Sequence, residues 1–288
     1  MITLKDAHQQ FISHLKEKVR SSATILAYGK DIEQLVTFLE NQGKKELDQA
    51  SLEDLQTFMG KFSKDGYTAK TISRKTNSTK TFFKFLKSEG LINDDPATSL
   101  THPKFENKPP RILSKTEYRA LRDAARADVR MFSIIEILLQ TGIRIGELAK
   151  LKVLDLNLSP NSTLHVPLFE DTRERIIPLN QSAAQAVKKY LEIRPKVKNH
   201  ALFITKTGRP LLIRNIRTAI DRYSRIAGIN QSKVNDLRHT WVAHQLQSGI
   251  SLMTVSKLAG HKRLSTTERY LQFVQNHNGE SKVKLEEL

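Results

Sequence analysis

The stretch AGHKRLSTTERY, residues 259–270, is the most informative part of this 288-residue chain. Gly260 follows an apolar run at helical spacing and is typical of the residue that ends a helix. Ser265 is followed three positions later by a glutamate, which predicts a capping box opening a new helix. His261 would then lie in the turn between the two helices, and Tyr270 in the second turn of the new helix. The stretch therefore predicts an imidazole and a phenol presented on either side of a helix start.

Two further motifs lie upstream of this stretch. In LLQTGIRIGEL, residues 138–148, an apolar helix is predicted to end at Gly142, with Arg144 in the turn before the next helix. In VNDLRHT, residues 234–240, the cation is Arg238. Taken singly, such residues are usually surface cations, ion-pair members or half-buried aromatics. The order and spacing of the three motifs therefore carry the argument.

The charge balance points to a polyanionic partner. The chain carries a formal charge of +17 with a pI near 9.9, which most simply indicates nucleic acid. A ribosomal or other basic scaffold protein would give the same number. The excess is uneven, because residues 1–103 carry a net charge of +2 and residues 104–288 a net charge of +15. The basic character is therefore predicted to lie mainly in the second part of the chain.

Several classes are disfavoured by composition. The chain has no cysteine, so disulfides, thiolate metal sites and cysteine nucleophiles are excluded. The first residues lack the apolar segment of a signal peptide, and the longest apolar stretch, residues 132–139, is too short to span a bilayer. These features predict a soluble cytoplasmic protein without a membrane partner.

The predicted architecture is mainly α, in two domains. Apolar residues recur at helical spacing through residues 1–101, and residues 102–111 form a basic, proline-containing linker. A second domain, residues 112–288, begins at a capping box on Ser114. Two β-like runs, 163–166 and 175–179, predict a small antiparallel hairpin in an otherwise helical domain.

A basic helical face is predicted between Thr68 and Lys87. Its apolar stripe consists of Ile72, Phe82, Phe83 and Leu86. Lysines and arginines lie elsewhere on its surface, and only Asp65 and Glu89 offer nearby negative charge in sequence. A solvated face would be the ordinary interpretation, but the lack of counter-charges favours a face that follows phosphates. The proposed DNA-binding residues are Lys70, Arg74, Lys80, Lys84 and Lys87, with Lys104, Lys108 and Arg111 in the linker.

Together, the three motifs resemble the tyrosine recombinase (phage integrase) family, most closely its Xer-like, two-domain members. The matching frames are TGxRxxEL at residues 141–148, LRHT at 237–240, and LxGHxxxxTTxxY at 258–270. The resemblance covers essentially the whole chain. It implies an N-terminal helical core-binding (SAM-like) domain, a basic linker and a mixed α+β catalytic domain.

The resemblance also implies a metal-independent reaction with four catalytic residues. Tyr270 is similar to the nucleophile that forms a 3′-phosphotyrosyl bond and releases a 5′-hydroxyl. Arg144 and Arg238 resemble the pair of guanidiniums that stabilise negative charge on the phosphate. His261 resembles the histidine that hydrogen-bonds the phosphate and assists proton movement, and Glu147 the acidic residue that braces the site. No cofactor or metal ligand is implied.

Two positions depart from the family pattern. Asn235 stands where the family usually has histidine or lysine; it is expected to cap the helix, with a phosphate contact possible in addition. The position of the family's hairpin lysine holds Glu170, and no lysine occurs between Lys152 and Lys188. Either Arg173 substitutes electrostatically, or the acid comes from elsewhere, or the enzyme is slow, since a guanidinium is a poor proton donor.

The leading hypothesis is a site-specific DNA recombinase that integrates, excises or resolves DNA. The alternatives are a catalytically silent DNA-binding protein on the same fold and a metal-dependent nuclease, although the motif regions offer no convincing carboxylate cluster. The resemblance implies double-stranded DNA with inverted-repeat sites and a homo-tetramer in the synaptic complex. The tail, residues 279–288, is expected to pack on a neighbouring protomer.

Overall fold

The structure is a computed structural model, and it describes residues 2–44, 46–106, 108–169 and 172–275. The chain divides into two compact units, Met1–Lys108 and Pro109–Leu288, called the N-terminal and C-terminal units below. The mainly helical architecture with one small antiparallel sheet was predicted correctly. The tail from residue 276 onward, including the segment expected to pack on another protomer, lies outside the described residues.

The described residues of the N-terminal unit form four helices and one short 3-10 turn, Leu47–Gln49. Each helix begins where a serine or threonine side chain accepts a hydrogen bond from a backbone N–H of the first turn, which satisfies a donor that the helix itself cannot pair. The helices are α1 (Leu4–Glu17), α2 (Ser22–Asn41), α3 (Leu52–Lys64) and α4 (Ala69–Ser88).

Helix α4 buries its apolar face in the core of this unit. Phe82 and Phe83 are almost fully buried, and Phe82 meets Phe11 of α1 edge to face with ring centroids 5.2 Å apart. Ile72 and Leu86 are also buried, so the apolar stripe predicted for this segment is confirmed. The charged residues of α4 lie on its other faces. Lys84 is exposed to solvent, whereas Arg74 and Lys75 contact the neighbouring helix α2.

The C-terminal unit packs around one mainly apolar helix, α6. Its residues Ile134, Ile135, Ile137 and Leu138 are buried, and it packs against α8 and α10. A 3-10 turn, Val153–Asp155, precedes the sheet. The helices are α5 (Lys115–Ala125), α6 (Val129–Thr141), α7 (Ile145–Lys150), α8 (Gln181–Ile193), α9 (Ile213–Ile226), α10 (Val234–Gln247), α11 (Leu252–Ala259), α12 (Ser265–Glu268) and α13 (Leu271–Gln275).

The sheet has three antiparallel strands in the order β1 (Leu156–Asn157), β2 (Thr163–Val166) and β3 (Arg175–Pro178). Strand β2 has the predicted bounds, whereas β3 ends one residue earlier than predicted, and the two-residue β1 was not predicted. Residues of β3 alternate between buried and exposed, as expected for a sheet with one face on the core. This register turns the side chain of Arg175 inward and that of Ile176 outward.

The local structure around Tyr270 differs from its prediction. Ser265 is the first residue of α12 rather than its cap, because Leu264 before it is already helical at φ −59° and ψ −37°. Helix α12 has a single turn, and the Tyr270 N–H bonds to the Thr267 carbonyl in the turn that follows it. The predicted capping box and the placement of Tyr270 in a second helical turn were therefore wrong.

Candidate active site

The four residues predicted as catalytic lie at or near the ends of four helices in the C-terminal unit. Arg144 precedes α7, Arg238 lies in the first part of α10, His261 follows α11 and Tyr270 follows α12. Gly142 and Gly260 end α6 and α11 in the left-handed conformation, at φ 63° and 66°, as predicted for both. The carbonyls near such helix ends lack partners within the helix and carry partial negative charge.

Arg144 is held between its own helix and the end of α11. Its backbone N–H donates to Glu147 Oε2 at 2.7 Å, and its Nη2 donates to the Gly260 carbonyl at 3.0 Å. About one third of the side chain is exposed. The guanidinium is therefore fixed at the surface of the site, with donors still open to solvent.

Arg238 is more deeply placed and incompletely paired. It is 6% exposed, and its Nη1 donates to the Gly142 carbonyl at 2.6 Å, whereas its Nη2 is buried without a hydrogen-bond partner among the described residues. Burial, and then repulsion from Arg144, lower the pKa of Arg238 from 12.5 to about 9, so the group stays charged at neutral pH. A buried cationic donor without an acceptor is costly, and an anion would satisfy it.

His261 lies between the arginines and Tyr270. Its Nδ1 shares a hydrogen bond of 2.7 Å with Thr267 Oγ1, which fixes the ring. The ring is stacked near that of Tyr270, with centroids 6.3 Å apart. Burial, and then the charges of Arg238 and Arg144, lower the pKa of His261 to about 3. The imidazole is therefore neutral at working pH.

Tyr270 is 4% exposed and packs in a small core cluster with Trp241 and Leu246 of α10. Its hydroxyl shares a hydrogen bond of 2.5 Å with Nδ1 of His239. Burial raises the pKa of Tyr270 above its ordinary value of 10. His239 was not identified from the sequence as a site residue, although it follows Arg238 directly and could have been considered as the next position of the same motif.

Glu147 is the residue that the resemblance implied would brace the site, and its main partner is a residue that the prediction passed over. Both of its oxygens accept from Arg175, at 2.9 Å each, in a bidentate pair. The Nε of Arg175 also donates to the Leu258 carbonyl at 2.7 Å. Burial acts to raise the pKa of Glu147, but the pairing with Arg175, together with the backbone N–H and the charge of Arg144, lowers it below its ordinary value.

Asn235, where the sequence departs from the family pattern, and Arg173, the suggested substitute for the hairpin lysine, both lie on the surface. Asn235 is exposed in the first turn of α10 and does not cap it, because Lys233, two residues earlier, occupies the cap position. The predicted capping role of Asn235 was therefore wrong. Arg173 is exposed, in contrast to Arg175 two residues later. Glu170 lies outside the described residues.

The basic face of α4 is partly neutralised by a residue that is distant in sequence. Asp31 of α2 is buried and pairs with both Arg74 and Lys75, so the expectation that only Asp65 and Glu89 lie near was wrong. Packing of α2 on α4 creates this contact. Lys80 donates to the Thr98 carbonyl at 3.1 Å. The remaining predicted cations of this face, Lys70, Lys84 and Lys87, are exposed.

The linker cations also differ from one another. Lys104 and Lys108 are exposed, whereas Arg111 donates to Glu117 Oε1 at 2.7 Å and to the carbonyl of Asn230. No group of three or more histidine, cysteine, aspartate or glutamate side chains within the described residues could hold a metal ion. Within the same part of the chain, no helix is long and apolar enough to cross a bilayer.

This fold and this cluster of arginines, histidines and tyrosine define a protein of the integrase class. Residues 111–277 match the phage integrase family, and residues 8–90 match the phage integrase N-terminal SAM-like domain. The chain belongs to the phage integrase family. The resemblance based on the three motifs is thus confirmed, as is the combination of a SAM-like domain with an integrase catalytic domain.

Relatives of similar length support this assignment. The tyrosine recombinase XerC of Staphylococcus carnosus (strain TM300) is 33% identical, and the match covers 91% of this chain and 90% of the relative. XerC of Bacillus pumilus (strain SAFR-032) is 31% identical, covering 90% and 89%.

Solved structures show the same fold. A lambda integrase(75-356) dimer bound to a COC' core site has a TM-score of 0.75 at 18% identity, covering 92% of this chain and 97% of the other. XerH site-specific recombinase bound to palindromic difH substrate has a TM-score of 0.74 at 20% identity, covering 88% and 77%.

Proposed function

We propose that this protein is a site-specific DNA recombinase that cleaves and rejoins strands through a covalent bond between Tyr270 and a 3′-phosphate. The observation that carries the proposal is the buried, unpaired Nη2 of Arg238, which lies in a cluster with Arg144, His261 and Tyr270. Such a donor set suits a phosphodiester, whose non-bridging oxygens accept hydrogen bonds from planar guanidiniums. The recombinase names of the relatives agree with this chemistry.

In the proposed reaction, Arg238 and Arg144 bind the non-bridging oxygens and stabilise the charge of the pentavalent transition state. Tyr270 attacks phosphorus and replaces the 5′-oxygen of the next nucleotide. The phosphotyrosyl bond conserves the energy of the phosphodiester, so a second strand's 5′-hydroxyl rejoins without a nucleotide cofactor. His261 hydrogen-bonds the phosphate, and Glu147 holds Arg144 in place by accepting from its backbone N–H, while also pairing with Arg175.

The same proposal assigns the two halves of the chain to one DNA duplex. Residues 1–101 are the core-binding domain, residues 102–111 a basic linker, and residues 112–288 the catalytic domain with its assembly tail. Asn235 and Arg173, both exposed, are proposed to contact phosphates. The cations proposed to follow the DNA backbone are Lys70, Arg74, Lys80, Lys84, Lys87, Lys104, Lys108 and Arg111. Because Arg74 and Arg111 already have carboxylate partners, the exposed lysines are expected to contribute most.

We further propose that four copies act together in the cytoplasm on two DNA sites, each with inverted-repeat arms. One cleaving subunit is needed for each of the four strands that recombination exchanges. Deleting residues 279–288 should abolish cooperative assembly on DNA and leave single-site binding intact. If the mass of the complex in solution is unchanged by the deletion, the tail does not contribute to assembly on DNA.

The test of the function is covalent trapping on DNA. Duplexes that the protein binds are first selected from a randomised library, and then remade with a nick so that the strand beyond the cleavage point diffuses away. The full-length protein should form an adduct that survives denaturation, in the presence of excess EDTA. Tyr270→Phe should bind the same duplex and form no adduct. Tyr223→Phe is the matched control, since it also removes a largely buried hydroxyl, one that bonds to Asp128 at 3.2 Å.

Each outcome assigns the function. An adduct with the wild-type protein and with Tyr223→Phe, but not with Tyr270→Phe, supports the recombinase. Tight binding without any adduct would indicate a DNA-binding protein that does not cleave. Strand cleavage that requires a divalent cation and leaves free DNA ends without an adduct would indicate a metal-dependent nuclease instead.

A further inference from the structure

The Tyr270 hydroxyl has a proton that must leave when its oxygen attacks phosphorus. Nδ1 of His239 lies 2.5 Å from this oxygen, and the two rings are 5.8 Å apart at an angle of 39°. This is the distance of a short hydrogen bond. His239 is therefore the group in direct contact with the reacting hydroxyl.

The other polar residues near the site are less suited to receive this proton. His261 stacks beside the Tyr270 ring, but its Nδ1 is engaged with Thr267 Oγ1 at 2.7 Å. Asn235 is exposed in the first turn of α10, and an amide does not exchange a proton near neutral pH. Arg238 remains protonated and can only donate.

The helix explains why neighbouring residues take different roles. Arg238 and His239 are adjacent on α10, so their side chains point about 100° apart around the helix axis. The first contacts the end of α6 through the Gly142 carbonyl, and the second contacts the turn that carries Tyr270. One helical turn thus brings an anion-binding group and a proton acceptor to the same reaction centre.

The ring of His239 is available as an acceptor. Burial, and then the charges of Arg238 on its own helix and Arg269 beside Tyr270, lower the pKa of His239 to about 4. The imidazole is therefore neutral at pH 7, with a lone pair on Nδ1 when Nε2 carries the proton. A phosphate bound at Arg238 offsets the local positive charge, and this favours the protonated, imidazolium form of His239 over the neutral form. The acceptor thus becomes more basic when DNA is bound.

We propose that His239 is a catalytic residue that accepts the phenolic proton of Tyr270 during strand cleavage and returns it during rejoining. The inference rests on the proposed recombinase function. In cleavage, the bond between Tyr270 Oη and phosphorus forms, the bond from phosphorus to the 5′-oxygen breaks, and the proton moves from Oη to Nδ1. The departing 5′-oxygen takes a proton from solvent water. In rejoining, the attacking 5′-hydroxyl forms its bond to phosphorus and releases its proton to solvent water. The bond between phosphorus and Tyr270 Oη breaks, and the His239 imidazolium protonates the departing Tyr270 oxygen.

The first test uses His239→Asn on the nicked duplex selected by binding. The asparagine amide oxygen can replace Nδ1 as a hydrogen-bond acceptor, but it cannot carry the proton away. Adduct formation should slow about 100-fold or more, with unchanged DNA binding and thermal unfolding. His244→Asn is the matched control, since this exposed histidine of the same helix bonds to Ser248 outside the site. Wild-type rates in His239→Asn would mean that His239 only holds the hydroxyl, and would overturn the proposal.

A second substrate separates the two ends of the reaction. In a duplex whose leaving 5′-oxygen is replaced by sulfur, the leaving thiolate needs no proton. The defect of His239→Asn should persist on this substrate, because the proton of Tyr270 must still be removed. Disappearance of the defect would place His239 at the leaving group and overturn the proposal. If His239→Asn does not fold, His239→Gln carries the same test.

Failure of this inference is distinct from failure of the proposed function. If the wild-type protein forms no adduct on any selected duplex, the recombinase function itself is wrong, and with it the role of His239. If the wild-type protein forms the adduct and His239→Asn matches its rate, the recombinase function stands and only the role of His239 is lost.

Discussion

Asp31 in the N-terminal unit and Glu147 in the C-terminal unit are both buried carboxylates that hold two cationic side chains. Asp31 accepts from Arg74, from Lys75 at 3.0 Å and from Ser78 at 2.9 Å. The ammonium of Lys75 also donates to Gln34 and lies 4.3 Å from the centre of the Phe62 ring. Arg74 is partly exposed, so water solvates the remaining charge. This cluster has the partners that a structural ion pair needs.

The cluster around Glu147 has an excess of positive charge. Arg175 and Arg144 bond to this carboxylate, and burial together with the charges of both arginines lowers the pKa of nearby Arg238. The Nη2 of Arg238 lacks a partner within the described residues. Three guanidiniums against one carboxylate leave a buried positive region that a phosphate diester would neutralise. Between these two clusters, the buried cation with an unpaired donor lies at the candidate DNA site, and the buried cation whose donors are paired lies in a structural ion pair.

The largest predicted effect concerns Arg238. Arg238→Met should lower the rate of adduct formation by about 10²–10³-fold, because a fixed donor to the transition state is lost. The free energy of unfolding should change by no more than about 1 kcal/mol, since a methionine removes a buried, repelled charge at the cost of one bond to Gly142. Trapping on nicked DNA and urea unfolding measure the two quantities. A strongly destabilised variant would show that Arg238 is structural.

The second prediction removes each carboxylate charge in turn. Glu147→Gln and Asp31→Asn should each destabilise the fold by about 3–5 kcal/mol, because each leaves buried cations unpaired. Under conditions where both variants remain folded, only Glu147→Gln should lower the rate of adduct formation, since only its arginines lie in the site. Urea unfolding and trapping compare the pair. Equal loss of cleavage in both variants would contradict the distinction between the two clusters.

The third prediction concerns acid stability. The pKa of Glu147 is lowered in the folded protein, so its charged form stabilises the fold above the ordinary value of 4.5, and this contribution is lost as the pH falls through the lowered pKa. The wild-type protein should therefore lose stability on acidification more steeply than Glu147→Gln. Chemical unfolding between neutral pH and pH about 3 measures this. Parallel curves for the two proteins would indicate that Glu147 is not ionised in the fold.

The smallest predicted effect is on the rate of adduct formation, and it is tested by comparing alanine variants of two glycines that both have positive φ angles. Gly260 has φ +66°, and an added Cβ would lie 2.9 Å from Cζ of Arg175, whereas Gly249 has φ +81° with nothing within 4 Å. Both alanine variants should lose about 1 kcal/mol from the backbone conformation. Gly260→Ala should in addition slow adduct formation by displacing Arg175 from Glu147. Identical cleavage by the two variants would remove Arg175 from the support of the site.

The sequence was sufficient to predict the features that depend on neighbours along the chain. Glycines at 142 and 260 end helices because each adopts a positive φ, and the strand at 163–166 follows from alternation. The prediction that Ser265 caps a helix was wrong because the residue before it, Leu264, already has helical backbone angles. A capping residue normally has extended backbone angles. The prediction that Asn235 caps α10 was wrong because the cap position is two residues earlier, at Lys233.

Contacts between distant segments could not be predicted in the same way. The pairing of Glu147 with Arg175 spans 28 positions, and that of His239 with Tyr270 spans 31. Each requires the helices and the sheet to be packed before the partners meet. The four catalytic candidates were nevertheless found, because their motifs could be compared with a known family, whereas His239 has a role that only its distance to Tyr270 reveals.

The most direct measurement of the central claim compares two substrates for Arg238. In one, the scissile group is a normal phosphodiester; in the other, it is a methylphosphonate, which lacks the negative charge of one non-bridging oxygen. If Arg238 acts by neutralising that charge, Arg238→Met should be about 10²–10³-fold slower than the wild-type protein on the diester and within about tenfold of it on the methylphosphonate. An equal defect on both substrates would contradict the claim that its unpaired guanidinium nitrogen is the phosphate site.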